Sequence, residues 1–205
     1  MQKLHSTLLF SLIFSVISYS NTYADTTQDK QTKLPGTIVM HIGETHYQHP
    51  VRLLHPYLDV WHMKGPLAEA AALKTLNKRF ANVVKCNNND SSANVVLLLE
   101  PHMFYNPQLR VFHAEIIARA YVNDTEPANY NNAITTIKKQ AQQQGDLSVK
   151  PDFYMQKAYT KAMDKVIKKL ETDQAFLATL NQANIKNQKT ICNALDALPA
   201  AKFYY

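Results

Sequence analysis

The sequence predicts an α+β domain, a two-layer sandwich whose mixed or antiparallel β-sheet is covered on one face by two main helices. Three stretches predict it. In residues 110–122, Phe112, Ala114, Ile116, Ala118, Ala120 and Val122 alternate with Val111, His113, Glu115, Ile117, Arg119 and Tyr121. A period of two with one apolar and one mixed face is the pattern of a long, half-covered strand. Ahead of it, Ala93 to Leu99 is a near-continuous apolar run between an Asn/Asp/Ser turn and Pro101, as suits a strand covered on both faces. Downstream, Met155, Tyr159, Ala162, Met163, Val166, Ile167 and Leu170 recur every three or four residues, with Lys157, Lys161, Lys165, Lys168 and Lys169 on the other side. That is one apolar stripe on a helix starting at Pro151. Two adjacent antiparallel strands need such a helix over their apolar side.

The remaining elements follow in chain order. Lys3 and His5, an apolar run from Leu8 to Ile17, and Thr22-Tyr23-Ala24 before Asp25 have the order of a secretory signal over residues 1–24. The run is about half the ~20 residues a bilayer-spanning helix needs, and the alternative is an uncleaved N-terminal anchor. No later segment is apolar for long enough to span. Residues 25–36 read as a flexible polar leader, closed by Pro35-Gly36. Residues 37–180 form one domain. Thr37 to Ile42 is β-branched and apolar, hence a first strand. Gly43 to Met63, with Pro50 and Pro56, reads as irregular. Gly65-Pro66 opens a helix whose expected inner face carries Leu67, Ala70, Leu73, Leu76, Asn77 and Phe80. Ala81 to Cys86 is a short strand. Residues 101–109 are expected to loop between 93–99 and the strand at 110–122. Asn123 to Lys150 is rich in Asn and Gln, with a candidate strand at Ile134–Ile137. Asp173 is a credible N-cap for a second helical piece through Leu180. Residues 181–205 form a C-terminal tail. The expected order is β-α-β-β-β-α.

Charge and cysteines narrow the function classes. Without residues 1–24 the chain loses one Lys and keeps 21 basic and 16 acidic residues. That mild excess has no basic run interleaved with aromatics, so nucleic-acid binding is not expected. An exported basic protein meets anionic lipid, cell-wall polymer or an acidic partner more readily. In an exported chain Cys86 and Cys192 are expected to form a disulfide, tethering the tail to a core strand. The alternative is two unpaired thiols, one buried and inert.

No catalytic motif is present, and four glycines leave little scope for a phosphate-cradling loop. Three constellations remain. His41, His46, His49, His55 and His62 fall within 22 residues. Of these, His41, His46 and His49 are candidate zinc or copper ligands, against the alternative of a polar, aromatic surface loop. Glu100 and His102, with His113 and Glu115 on the following strand, would suit acid–base work only if they shared a pocket. Otherwise Glu115 and Arg119, on one strand face, make an exposed ion pair. Tyr47, Tyr57, Trp61, Phe104 and Tyr105 gather in two loops, either as a partner-binding surface or as a lid on a small core.

Three stretches carry a family resemblance: Leu67–Phe80 leading into Ala81–Cys86, then Ser92-Ala93-Asn94-Val95-Val96-Leu97, then the long helix followed by Asp173-Gln174-Ala175-Phe176-Leu177. In this order they resemble small bacterial envelope proteins, the periplasmic or outer-membrane auxiliary components of transport systems, over about residues 37–180. The resemblance implies a β-α-β-β-α-type domain that binds partners without chemistry. Some such proteins are lipoproteins, whereas this chain has no Cys near Asp25 for acylation. The expectation is therefore a periplasmic, non-enzymatic accessory or binding protein without a cofactor, acting through envelope protein or lipid. The alternatives are a periplasmic metal-binding protein using the His-rich loop, with zinc or copper, and a small hydrolase.

Overall fold

A computed structural model describes residues 32–55, 57–86, 93–122, 130–182 and 188–198. The expected signal segment 1–24, most of the expected leader and the last residues up to Tyr205 lie outside the described residues. Among the described residues, seven strands and five α-helices follow in this order: β1 (Leu34–His41), α1 (Glu44–Tyr47), β2 (Pro50–His55), β3 (Leu58–Met63), α2 (Lys64–Arg79), β4 (Phe80–Lys85), β5 (Val95–Asn106), β6 (Val111–Tyr121), β7 (Thr135–Gln144), α3 (Pro151–Leu170), α4 (Gln174–Gln182) and α5 (Gln188–Asp196). With the α1–β2–β3 insert set aside, the order is β-α-β-β-β-β-α: the expected β-α-β-β-β-α with one further strand, β7, in the stretch 123–150 that carried only a candidate strand. Leu34 to Gly36, read as the end of the leader, already belong to β1. Gly36 sits there at a φ of 98°, a backbone region open to glycine at little cost.

The main sheet has the order β4-β1-β5-β6-β7, with β1 parallel to β4 and β5 and the β5–β6–β7 side antiparallel. The α+β class and the mixed sheet hold. On one face, Ile38, Met40, Val95, Leu97 and Leu99 join Phe112, Ala114, Ile116, Ala118 and Ala120 under α2 and α3. α3 buries the whole expected stripe, Met155 to Leu170, together with Ala158. The inner face of α2 is rotated from expectation. Ala68, Ala71, Ala72, Thr75 and Leu76 are buried, while Ala70 and Asn77 are exposed. Small residues let two helices approach closely, and a reading weighted toward Leu misses such a face. α4 starts at the expected cap: Phe176 N–H donates to Asp173 Oδ1 at 3.1 Å, and Phe176 packs edge-on against Phe80.

The opposite face carries a second core. Val39, Val96, Leu98 and Tyr121 pack with Ile191, Cys192 and Leu195 of α5. A helix in the tail was not expected. The Cys86–Cys192 disulfide is formed, with a Cα–Cα distance of 6.4 Å, and ties α5 to the chain just past β4.

Two strands differ from the sequence reading. β5 does not end at Pro101 but continues to Asn106. β1 pairs with β5 only from Ile38–Val95 to His41–Leu98, so Pro101 lies where β5 has lost that neighbour and a strand tolerates a missing N–H. β7 runs the full length of residues 135–144 at the sheet edge. Lys161 Nζ donates to Gln142 O at 3.3 Å and Lys165 Nζ to Gln140 O at 2.7 Å. Lysines of α3 thus reach around and satisfy carbonyls of the edge strand, a way of blunting it against further pairing.

Candidate functional site

β1 stops opposite Leu98, and β5 runs on for eight more residues. α1 and the β2–β3 hairpin occupy the space beyond that stop. Leu53 is fully buried in the main core, and Val51 and Val60 pack against it. The segment expected to be irregular is therefore a hairpin fixed by its inward side chains. Its outward face pairs Arg52 with Trp61 and Pro50 with Met63, and the Arg52 guanidinium lies over the indole at 5.9 Å. α1 is seated by a close backbone approach. A Cβ on Gly65 would fall 2.3 Å from the Tyr47 carbonyl oxygen, so only glycine lets α1 rest on the start of α2.

Next to Gly65, Lys64 is the first residue of α2 and is 97 % buried, with 3 % of its surface exposed. A cation at a helix N-terminus opposes the helix dipole. Burial lowers the Lys64 ammonium to about 8, while nearby Glu100 pulls the other way. Glu100 is itself buried and pairs with Arg119 across the β5–β6 ladder. Burial pushes its carboxyl above the usual carboxylate range, against the pull of Arg119 and Lys64. His46 of α1 is buried and meets His102 edge-on at 5.9 Å. Burial first, then the Lys64 charge, lowers both imidazoles to about 4. At neutral pH the two rings are neutral beside a lysine.

This polar cluster underlies a cleft of about 840 Å³. Its floor is the face of β5, β6 and β7 turned away from α2 and α3, with His102, Phe104, His113, Glu115, Gln140 and Gln142. One wall is β2, with Val51, Arg52 and Leu54, and His49, Lys64 and Lys165 complete it. Among the described residues, Glu115 is the only acid in the lining. Burial works to raise its carboxyl, but hydrogen bonds from Gln140 and Lys138 outweigh that and hold it below the usual range. The cleft is cationic at its base and apolar at its rim.

The structure separates the expected aromatic group. Tyr57 and Trp61 on the hairpin are 90 % and 56 % exposed, and Phe104 is 54 % exposed. Tyr47 is half-buried against the core. Tyr105 is not on the surface: strand alternation turns it inward, 2 % exposed, against Phe112 at 4.7 Å. Leu54, Met63, Leu109, Val149 and Phe153 are exposed in the same segments, the hairpin, the β5–β6 turn and the start of α3.

The expected histidine ligands are also divided. His46 and His49 flank Lys64 near the cleft. His41 lies at the end of β1, where its Nε2 meets Asp196 Oδ1 of α5 at 2.9 Å. Among the described residues, the group of three ligand atoms close enough to share an ion is His41, Cys86 and Cys192. Of the possible acid–base set, His102 and His113 line the cleft, whereas Glu100 lies beneath it with Arg119. In place of the anticipated Glu115–Arg119 pairing, the contacts seen are Glu115 with Lys138 and Gln140, and Arg119 with Glu100. Lys64 and Arg52 were not singled out in the sequence. A lysine opening a helix, against the dipole, was the available signal for the first.

Among the described residues, no helix is long and apolar enough to cross a membrane. No family model and no curated protein matches the chain. Solved structures that align with the chain include a Xanthomonas campestris protein of the DUF330 family, at 8 % identity, covering 67 % of this chain and 83 % of that one with a TM-score of 0.45. A candidate lipoprotein from Caulobacter crescentus aligns at 12 % identity over 71 % of this chain and 92 % of that one, with a TM-score of 0.35.

Proposed function

We propose that the chain is a non-enzymatic binding protein of the bacterial cell envelope, an accessory component whose cleft takes an anionic amphiphile. The observation that carries the reading is the polarity of the cleft. Lys64, His49 and Arg52 supply positive or donor groups at its base and wall, and Leu54 and Phe104 offer apolar surface at its mouth. Binding pockets of this kind are mostly apolar with a few convergent polar groups that set orientation. A carboxylate or phosphate head would sit toward Lys64, with an acyl or aryl tail along Leu54, Phe104 and the exposed hairpin. The exposed Tyr57 and Trp61 offer a surface to an envelope protein that delivers or receives the amphiphile. The envelope location follows from the N-terminal pattern Leu8–Ile17 and from the family resemblance.

Hydrolysis is the weaker reading. It calls for Glu100 beside His102 and His113 at the cleft, and Glu100 is engaged below it by Arg119.

Trp61 is the single tryptophan of the chain and lies on the hairpin that walls the cleft, so its fluorescence reports occupancy. Titration with dihexanoyl phosphatidic acid below its micelle concentration should shift that emission saturably. Phe104→Asp should weaken the response at least tenfold, and dihexanoyl phosphatidylcholine should bind more weakly than the acid. Equal response to both lipids, or no difference between Phe104→Asp and the parent, would remove the support for the cleft.

A further inference from the structure

One ligand atom from each of His41, Cys86 and Cys192 lies within 4.8 Å of the others, with the two sulfurs joined in the disulfide. They arrive from three separate elements: the end of β1, the residue after β4, and the middle of α5. Asp196 stands one helical turn beyond Cys192 on α5, and its Oδ1 is 2.9 Å from His41 Nε2. The same oxygen accepts the Glu44 N–H at 3.0 Å. His41 and Cys192 are largely buried, and Cys86 N–H is anchored to Met40 O at 3.1 Å. A pair of sulfurs and an imidazole held together, with a carboxylate on that imidazole, is the donor set of a tetrahedral zinc site and its supporting shell.

We propose that reduction of the Cys86–Cys192 disulfide converts this locus into a zinc site with Cys86, Cys192 and His41 as ligands. Asp196 either completes the coordination or holds the imidazole through its hydrogen bond. A dithiol reductant supplies two electrons and two protons. The S–S bond breaks, two thiols form, and the reductant leaves as its own disulfide. Zinc then displaces the two thiol protons and binds two thiolates. Zn–S bonds of about 2.3 Å place tetrahedral thiolates roughly 3.8 Å apart, so the sulfurs must part by somewhat under ~2 Å from their bonded separation of about 2.05 Å. Small movements of α5 supply that, since α5 is held by Ile191 and Leu195 on the second core and not by a continuous ladder. The cross-link and the metal bridge therefore tie the same two elements together under opposite redox conditions. The expected metal ligand His41 takes part, with partners other than His46 and His49.

The test uses the purified protein in oxidised form and after reduction with dithiothreitol, which is then removed under argon. Zinc is titrated against a chromophoric chelator, and cadmium is used in parallel because thiolate-to-metal charge transfer absorbs in the near ultraviolet. The reduced protein should take one equivalent with that absorption, and the oxidised protein should show none. Asp196→Asn should weaken uptake by roughly 10–100-fold, and His41→Ala by at least as much, with far-ultraviolet circular dichroism confirming the fold of each reduced variant. Uptake by reduced protein that is unchanged in His41→Ala would overturn the proposal, because it would mean that the thiols bind alone or in an unfolded chain. Absence of uptake by the reduced parent would overturn it equally. Neither result depends on what occupies the cleft.

Discussion

Arg119 and Glu100 form a diagonal pair on the outer face of the sheet: Leu98 lies opposite Arg119 in the ladder, Ile117 lies opposite Glu100, and the guanidinium reaches across to the carboxylate. Both are buried or nearly so. Desolvation of each ion is costly, and the pair holds only while both members are present. Arg119→Ala should destabilise the protein by about 3–5 kcal/mol by leaving a buried carboxylate without its guanidinium. The double variant Glu100→Leu with Arg119→Leu should lose much less. Urea denaturation of the two single variants and the double variant gives the coupling, and strict additivity would show that the pair does not act as a unit.

Two neutral imidazoles beside Lys64 give the stability a defined dependence on acid. His46 and His102 sit at about 4 in the fold against 6.5 for an ordinary histidine. Between those values the unfolded chain binds more protons than the folded one, so stability falls as pH drops from 6.5 to 4 and levels off below that. Lys64 and Arg119 act on both rings with positive charge, His49 adds to this at His46 and Lys138 at His102, and Glu115 opposes them at His102. The urea midpoint should therefore decline across that window. His102→Gln should flatten the decline, and an equal slope in that variant would contradict the placement.

Gly65 is expected to tolerate no side chain. A methyl group would meet the Tyr47 backbone at under 3 Å, where no flexible atom can yield. Gly65→Ala should cost about 1–3 kcal/mol as an overpacked site. By displacing α1 it should also move His46 and weaken lipid binding at the cleft, measured by Trp61 emission. A variant with unchanged affinity and melting temperature would refute the close seating.

Tyr159 offers the opposite sign. Its ring is fully buried in α3, its hydroxyl finds no hydrogen-bond partner among the described residues, and burial pushes the phenol well above its usual range. Removing an unsatisfied buried hydroxyl relieves a desolvation cost of about 1–3 kcal/mol. Tyr159→Phe should accordingly raise the melting temperature, and a fall would indicate a hydroxyl partner.

The lysines on α3 predict a change in assembly. With Lys161 and Lys165 bound to the carbonyls of β7, the edge is occupied. The double variant Lys161→Ala with Lys165→Ala should self-associate at concentrations where the parent sediments as a smaller species. Identical sedimentation profiles would mean that the lysines do not protect the edge.

How far the sequence could be read depended on whether an element's pattern was set locally. β6 and α3 carry their own periodicity because each has one face on the core along its whole length, and both were legible. The hairpin was not, because Pro50, Pro56 and the histidines dominate its composition, while among the described residues Leu53, Val51 and Val60 hold it in place by tertiary packing. β7 was visible only over Thr135–Ile137, the part shared with the candidate strand Ile134–Ile137, because an edge strand stabilised by lysine stems needs few apolar residues. The site was scarcely legible. Glu100 and Arg119 were noted, but Lys64 comes from a different element, and a cluster assembled from residues 46, 64, 100, 102 and 119 has no spacing to recognise. Tyr105 failed for a simpler reason: the strand continues past Pro101 and keeps its alternation, so Tyr105 falls on the same inner face as Leu97, Leu99 and Met103 instead of in a loop.

The bond between Cys86 and Cys192 spans 106 positions of sequence and so acts as a mechanical shunt. Tension applied beyond Cys192 enters the sheet at Cys86, beside Met40, without passing through α3 or α4. The intervening polypeptide, which includes β5, β6 and β7, cannot be drawn out while the shunt is intact, so a pulling experiment should register a short extension in oxidising buffer and a much longer one after a reductant is added.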